Sequence, residues 1–158
     1  MTPGLSGEAG AAYLPGMTDL PSAPAFDGVL EAALYAQDLD AAEAFYGGVL
    51  ALARVARVEG RHVFFRAGAT VVLIFDPAAT ASPPGPGARL PVPPHGAHGP
   101  GHLCLSAGGD AIDAWRARLE AAGHAVEADF RWPNGARSIY FRDPAGNSIE
   151  IAEPALWF

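Results

Sequence analysis

The chain has 158 residues, half of them apolar, which suits one well-buried core and is short for two ordinary domains. Its net charge of −7, with no basic stripe, excludes a nucleic-acid partner. Every basic residue other than histidine is Arg, so a Lys Schiff base and a phosphate-loop Lys are excluded, and a single cysteine, Cys104, rules out a disulfide or a multi-Cys zinc site.

Residues 1–26 are rich in Gly, Pro, Ala and Ser and read as a flexible extension, within which Met17 could be the true start. Neither a secretory segment nor an apolar run near 18 residues is visible, so a cytoplasmic protein with no membrane partner is expected. The domain then runs over 27–156, as module one (27–77), a Pro/Gly-rich linker (78–100) without regular structure, and module two (101–156).

In module one a strand at about Val29–Gln37 leads to a helix capped by Asp38 or Asp40, with Leu39, Ala42, Tyr46 and Val49 on its apolar face. Three strands follow, at Leu52–Val58, His62–Arg66 and Thr70–Phe75. Module two repeats the order. A strand at His102–Ala107 leads to a helix opened by Asp110, with Ile112, Trp115, Leu119 and Ala122 inward and Gly123 as its stop. The last strands are Ala125–Phe130, Arg137–Phe141 and Ser148–Ala152, the final two joined by an Asp143-Pro144-Ala145-Gly146 turn. The expectation is an α+β fold of two tandem βαβββ modules forming a curved mixed sheet.

Strand alternation places Glu31, Ala33 and Tyr35 on the face away from the helix, with His102, Cys104 and Ser106 on the matching face of module two. In the last strand Ser148, Glu150 and Ala152 take that side. Three strands therefore each present one metal-capable side chain to a common face.

The run from Leu30 to Leu39 with Ala44-Phe45-Tyr46, the Gly101-His102-Leu103 step, and the closing Tyr140 to Glu150 segment together resemble the vicinal-oxygen-chelate superfamily of glyoxalases, bleomycin-resistance proteins and extradiol dioxygenases. The resemblance spans roughly Val29–Pro154. It implies one divalent ion (Mn, Fe, Zn, Ni or Mg) held by Glu31, His102 and Glu150, acting as a Lewis acid on a small substrate with two neighbouring oxygens. The reaction would be that of a lyase, a thiol transferase or a ring-cleaving dioxygenase. The superfamily's fourth carboxylate ligand falls near Leu73, which argues against glyoxalase I activity itself. Tyr140, Ser138 and Tyr35 are the candidate catalytic groups, with Arg137 beside them. Ser138 and Tyr140 fall near hydroxyl groups that fosfomycin-resistance transferases use.

The resemblance also implies a homodimer, in some members with modules exchanged so that Glu31 completes a site in its partner. A second reading is a metal-free bleomycin-resistance-type binder, for which the acidic balance suits a cationic ligand. Several residues have plainer readings. His95 and His98 lie in a Gly/Pro loop without fixed geometry, and Cys104 reads as packing. Phe64-Phe65 and Trp115 read as core, and Trp132 and Trp157 as pocket or edge cover.

Overall fold

The computed structural model describes residues 21–158 apart from 84, 88 and 89. Most of the expected N-terminal extension, including Met17, lies outside the described residues; 21–30 carry no regular secondary structure.

Module one comprises β1 (Glu31–Tyr35), α1 (Leu39–Glu43), β2 (Ala53–Val58), β3 (His62–Ala67) and β4 (Thr70–Phe75). Of the two acids expected to cap α1, Asp38 does so, its carboxylate accepting from the Ala41 amide at 2.8 Å. The helix widens over Ala44–Val49 into a π-turn, in which the Leu50 amide reaches back to the Phe45 carbonyl at 2.9 Å. Gly47 and Gly48 weaken the α ladder there. The Arg118 side chain from module two satisfies the freed Gly48 and Val49 carbonyls at 2.9 and 2.6 Å.

Module two follows as β5 (His102–Ser106), α3 (Gly109–Ala121), β6 (Val126–Arg131), β7 (Arg137–Arg142) and β8 (Ser148–Ala152). The helix is capped by Gly108 and includes Asp110 in its first turn rather than opening on it; Gly123, with φ of 81°, ends it as expected. The linker carries one short helix, α2 (Pro77–Thr80), which corrects the expectation of no regular structure. Asp76 makes it possible by capping the Ala78 amide, and Pro77 sits in the first turn, where its missing N–H costs nothing.

Each module forms its own four-stranded sheet, in the orders β1-β4-β3-β2 and β5-β8-β7-β6. The first pair in each is parallel and the rest antiparallel. Leu34, Val63, Phe65, Val72 and Ile74 join Phe45 and Tyr46 in a core that continues into Ile112, Leu119, Ile139, Phe141, Ile149 and Ile151. One cluster thus serves both modules. Phe45 packs against Phe141 at 6.2 Å, and the buried Tyr46 hydroxyl donates to Asp143 at 2.8 Å. Gly101 sits at the junction: a Cβ there would lie 2.7 Å from the Leu34 Cδ2, so any larger residue would make the Leu34 side chain shift where β5 starts beside module one.

Candidate metal centre

The centre is built on β8, which lies between β5 and β7, so its side chains are flanked on both sides. Glu150 is opposite Cys104 on β5 and Tyr140 on β7, and is only 4 % exposed. His102, at the start of β5, stands one step along, opposite Ser148. Its Nδ1 lies 3.1 Å from the Ser148 carbonyl, and its Nε2 lies 3.4 Å from Glu150 Oε2. A carbonyl can only accept, so Nδ1 carries the proton and, in the neutral ring, Nε2 aims a lone pair at the carboxylate. Glu150 Oε1 is buried and has no hydrogen-bond partner. Two electron-pair donors facing one another, one with an orphaned oxygen, are a poor arrangement without a positive charge between them. A positive charge there, from a proton on Nε2 or a bound cation, would resolve it, and a carbonyl behind the ring is the usual support for a ligating imidazole.

Tyr140 lies over this pair, its ring 6.2 Å from and 18° to the His102 ring, and parallel to Phe130 at 5.8 Å. Burial and then the Glu150 carboxylate push its phenol up to about 12, so it is a proton donor and not a base at neutral pH. Ser138 is fully buried, and its hydroxyl accepts from the Trp132 indole at 2.8 Å. Trp132 therefore lines this face, whereas Trp157 is 81 % exposed. Cys104 is exposed on this face and not packed as expected; partial desolvation and then Glu150 push its thiol up to about 12, which argues against a nucleophile. Arg137 is held by Asp129 and Asp113, on the opposite side of its strand from Ser138 and Tyr140's neighbours in the site. Its role is structural.

The same face of module one reads in rows across its strands. The first is Glu31, Val71 and Arg66, the second Ala33, Leu73 and Phe64, and the third Tyr35, Phe75 and His62. The equivalent rows of module two are His102, Ser148 and Arg142, then Cys104, Glu150 and Tyr140. By register, Glu31 is the counterpart of His102, and Leu73 the counterpart of Glu150. Glu31 is exposed, and among the described residues no three His, Cys, Asp or Glu side chains are placed to share an ion. Within one chain, then, His102 and Glu150 come together and Glu31 does not join them.

Tyr35 is tied elsewhere, its hydroxyl 2.9 Å from His95 Nδ1. That bond, with the edge contact of His95 on Phe75 at 4.6 Å, gives the linker histidine a fixed place that its Gly/Pro surroundings do not announce. His98 lines a separate cavity of about 340 Å³ with Tyr35, Asp38 and Pro77. Phe65 is core as expected, but Phe64 is not; it stacks on His62 across the opposite face, 4.0 Å apart. Trp115 packs, partly buried, against the core. His62 and Arg66 had not been singled out in the sequence. The alternation that puts Val63 and Phe65 inward was the available signal for both.

Residues 28–151 match the model of the Glyoxalase/Bleomycin resistance protein/Dioxygenase superfamily, and the chain belongs to that superfamily. Among solved structures it is similar to a lactoylglutathione lyase from Agrobacterium tumefaciens, with 47 % identity, a TM-score of 0.78, and coverage of 83 % of this chain and 96 % of that one. A glyoxalase/bleomycin resistance protein/dioxygenase from Nocardioides shares the fold at 22 % identity and a TM-score of 0.63, covering 85 % of this chain and 86 % of that one. TioX from Micromonospora sp. ML1 does so at 20 % and 0.61, covering 80 % and 98 %. No curated protein matches the chain. No helix among the described residues is long and apolar enough to cross a membrane.

Proposed function

We propose that this protein is a metal-dependent enzyme acting on a small substrate that offers two neighbouring oxygens, and that its ion is held by His102 and Glu150 of one subunit and Glu31 of the partner subunit. The observation that carries the reading is the 3.4 Å approach of His102 Nε2 to Glu150 Oε2, with Nδ1 already committed to a carbonyl and Oε1 buried without a partner. Sharing between subunits is supported by the open outer edges of β1 and β5, each at the end of its sheet. It is supported also by the equivalent register of Glu31 and His102.

A divalent ion bound there would supply Lewis-acid polarisation of a substrate oxygen. Of the chain's own groups, Tyr140 keeps its proton beside Glu150 and can donate a hydrogen bond to negative charge developing on that oxygen. Ser138, fully buried, accepts from the Trp132 indole and so holds Trp132 beside the site rather than touching substrate. Tyr35, bound to His95, positions the linker over module one rather than acting in the reaction. The likeness to the Agrobacterium enzyme puts lyase chemistry first among the three reaction classes. With leucine at position 73, any proton transfer in it would be served without a carboxylate from that strand.

Elemental analysis of the purified protein tests the reading, with His102→Ala, Glu150→Ala and Glu31→Ala alongside. Wild type holds stoichiometric metal and each variant loses most of it. Co-expressed Glu31→Ala and Glu150→Ala chains recover one intact site per mixed dimer. A wild type that is metal-free after growth in metal-replete medium, or variants that retain full metal, overturns the proposal.

A further inference from the structure

The row that contains Glu31 ends two strands away in Arg66, and the geometry points to Arg66 as the anchor for an anionic group, a carboxylate, at the far end of the substrate. Every other arginine among the described residues holds a carboxylate or a backbone carbonyl. Arg66 makes neither a hydrogen bond nor an ion pair among them. Arg66 is exposed, on the sheet face away from the helices. Val63 and Phe65, its neighbours by alternation, are fully buried on the helix side, so Arg66 shares the open face with Phe64 and His62.

The internal repeat sharpens the contrast. Arg142 occupies the matching position in module two, and there Glu127 on β6 accepts from its guanidinium at 3.0 and 3.1 Å, with the Gly146 carbonyl at 3.2 Å. Module one offers no such partner: the residue opposite Arg66 on β2 is Ala53. One arginine of the pair is neutralised within its module, and the other is left to face whatever crosses the sheet.

Adjacent strands stand about 4.8 Å apart, so the Glu31 and Arg66 backbones are separated by about 10 Å along the row, with Val71 between them. A molecule whose chelating oxygens meet an ion at Glu31 would extend across Val71, with Phe64 and the buried Leu73 in the next row as its apolar floor. Its far end would then reach the guanidinium fork. A lone arginine in a chain of net charge −7 suits a monoanionic carboxylate better than a phosphate dianion, which would call for further cations. The assignment rests on the reading of Glu31 as a ligand and adds the substrate class to it.

Calorimetric titration of the metal-loaded protein with two hydroxamates tests it. Acetohydroxamate chelates through two oxygens and has no tail; the monohydroxamate of adipic acid adds a carboxylate about 7 Å beyond the chelating group. In wild type the acid-tailed compound binds about five- to tenfold tighter. Arg66→Gln abolishes that gain and leaves acetohydroxamate affinity unchanged, and Arg66→Lys keeps part of it. No gain in wild type, or an equal gain in Arg66→Gln, overturns the assignment. Should neither hydroxamate bind, the metal reading fails, and adipate itself decides the role of Arg66. Binding lost in Arg66→Gln then sustains the carboxylate anchor, and equal behaviour of the two proteins removes it.

Discussion

Replacing Tyr46 with Phe removes one oxygen from the place where the two modules meet. The Tyr46 side chain is fully buried, stacked on Phe65 at 5.7 Å and set edge-on to Phe45 at 5.1 Å, and a phenylalanine keeps both contacts. What goes is the 2.8 Å bond to Asp143 Oδ2. That oxygen retains the Asn147 amide at 2.8 Å, and Oδ1 retains the backbone amides of Ala145 and Asn147. Hydrogen bonds to a charged group contribute about 1.5–3 kcal/mol, and with the carboxylate still threefold bonded the loss belongs at the lower part of that range, about 2 kcal/mol. For a chain of this size that lowers Tm by about 4–8 °C in a calorimetric melt. A second arm uses pH. Burial and then Asp143 push the Tyr46 phenol well above its usual value of about 10. Above pH 10 the unfolded chain therefore gives up a proton that the folded one keeps, and stability falls as pH rises through that range. Tyr46→Phe lacks this alkaline loss. A variant that melts within 1 °C of wild type at pH 7, with the same alkaline slope, would show that the bond does not join the modules energetically.

His62→Phe replaces an imidazole whose Nδ1 is buried without a partner by an apolar ring that can keep the stack on Phe64. The expected effect is a gain of about 1 kcal/mol, read as a higher Tm. Burial and the Arg61 charge lower the His62 pKa, so wild-type stability is fully present above about pH 6.5. It declines as pH falls below that value, because the unfolded chain takes up the proton, and His62→Phe loses that slope; a drop in Tm on substitution would refute the account. In metal-free protein the Cys104 thiol, pushed up to about 12, reacts with iodoacetamide at pH 8 at least about a hundredfold more slowly than a free cysteine. A rate like that of the free thiol would contradict the combined effect of partial desolvation and the Glu150 carboxylate on it.

Strand alternation and the repeat were legible because each is a local property of the backbone. Leu34, Val63, Phe65, Val72 and Ile74 are buried where alternation puts them, and the Asp143–Gly146 turn closes with the 3.0 Å bond from the Gly146 amide to the Asp143 carbonyl. His102 and Glu150 meet because β5 and β8 are neighbours within one module, which their shared face already implied. Less legible were features set by contact across modules. The widening of α1 at Gly47-Gly48 becomes tolerable once Arg118, about seventy residues later, takes up its carbonyls. His95 acquires a place through Tyr35 and Phe75, neither of which is near it in the chain. The position of Glu31 relative to His102 depends on how the modules dock, through Gly101 against Leu34 and Asn147 against the Tyr35 carbonyl. No periodicity encodes that relation.

The two modules have one architecture and opposite chemistry on their open faces, which argues that duplication was followed by a division of roles. At matching register, Cys104, Glu150 and Tyr140 of module two stand where module one has Ala33, Leu73 and Phe64. A buried carboxylate in the middle strand of module two can be tolerated only if something positive or protic compensates it, the part proposed for His102 with an ion. Leucine at the same position of module one needs no compensation and offers an apolar surface instead. Were both positions carboxylates, the ion would gain a ligand and lose a free coordination position, and the floor beside Arg66 would become polar. The Leu73/Glu150 difference thus bears on both halves of the proposed site at once. Leu73→Glu should raise metal affinity in the dimer while weakening the binding of an apolar-chained, acid-tailed ligand. Titration of metal and of the adipic hydroxamate into that variant would separate the two effects, and a variant unchanged in both would break the link between register and role.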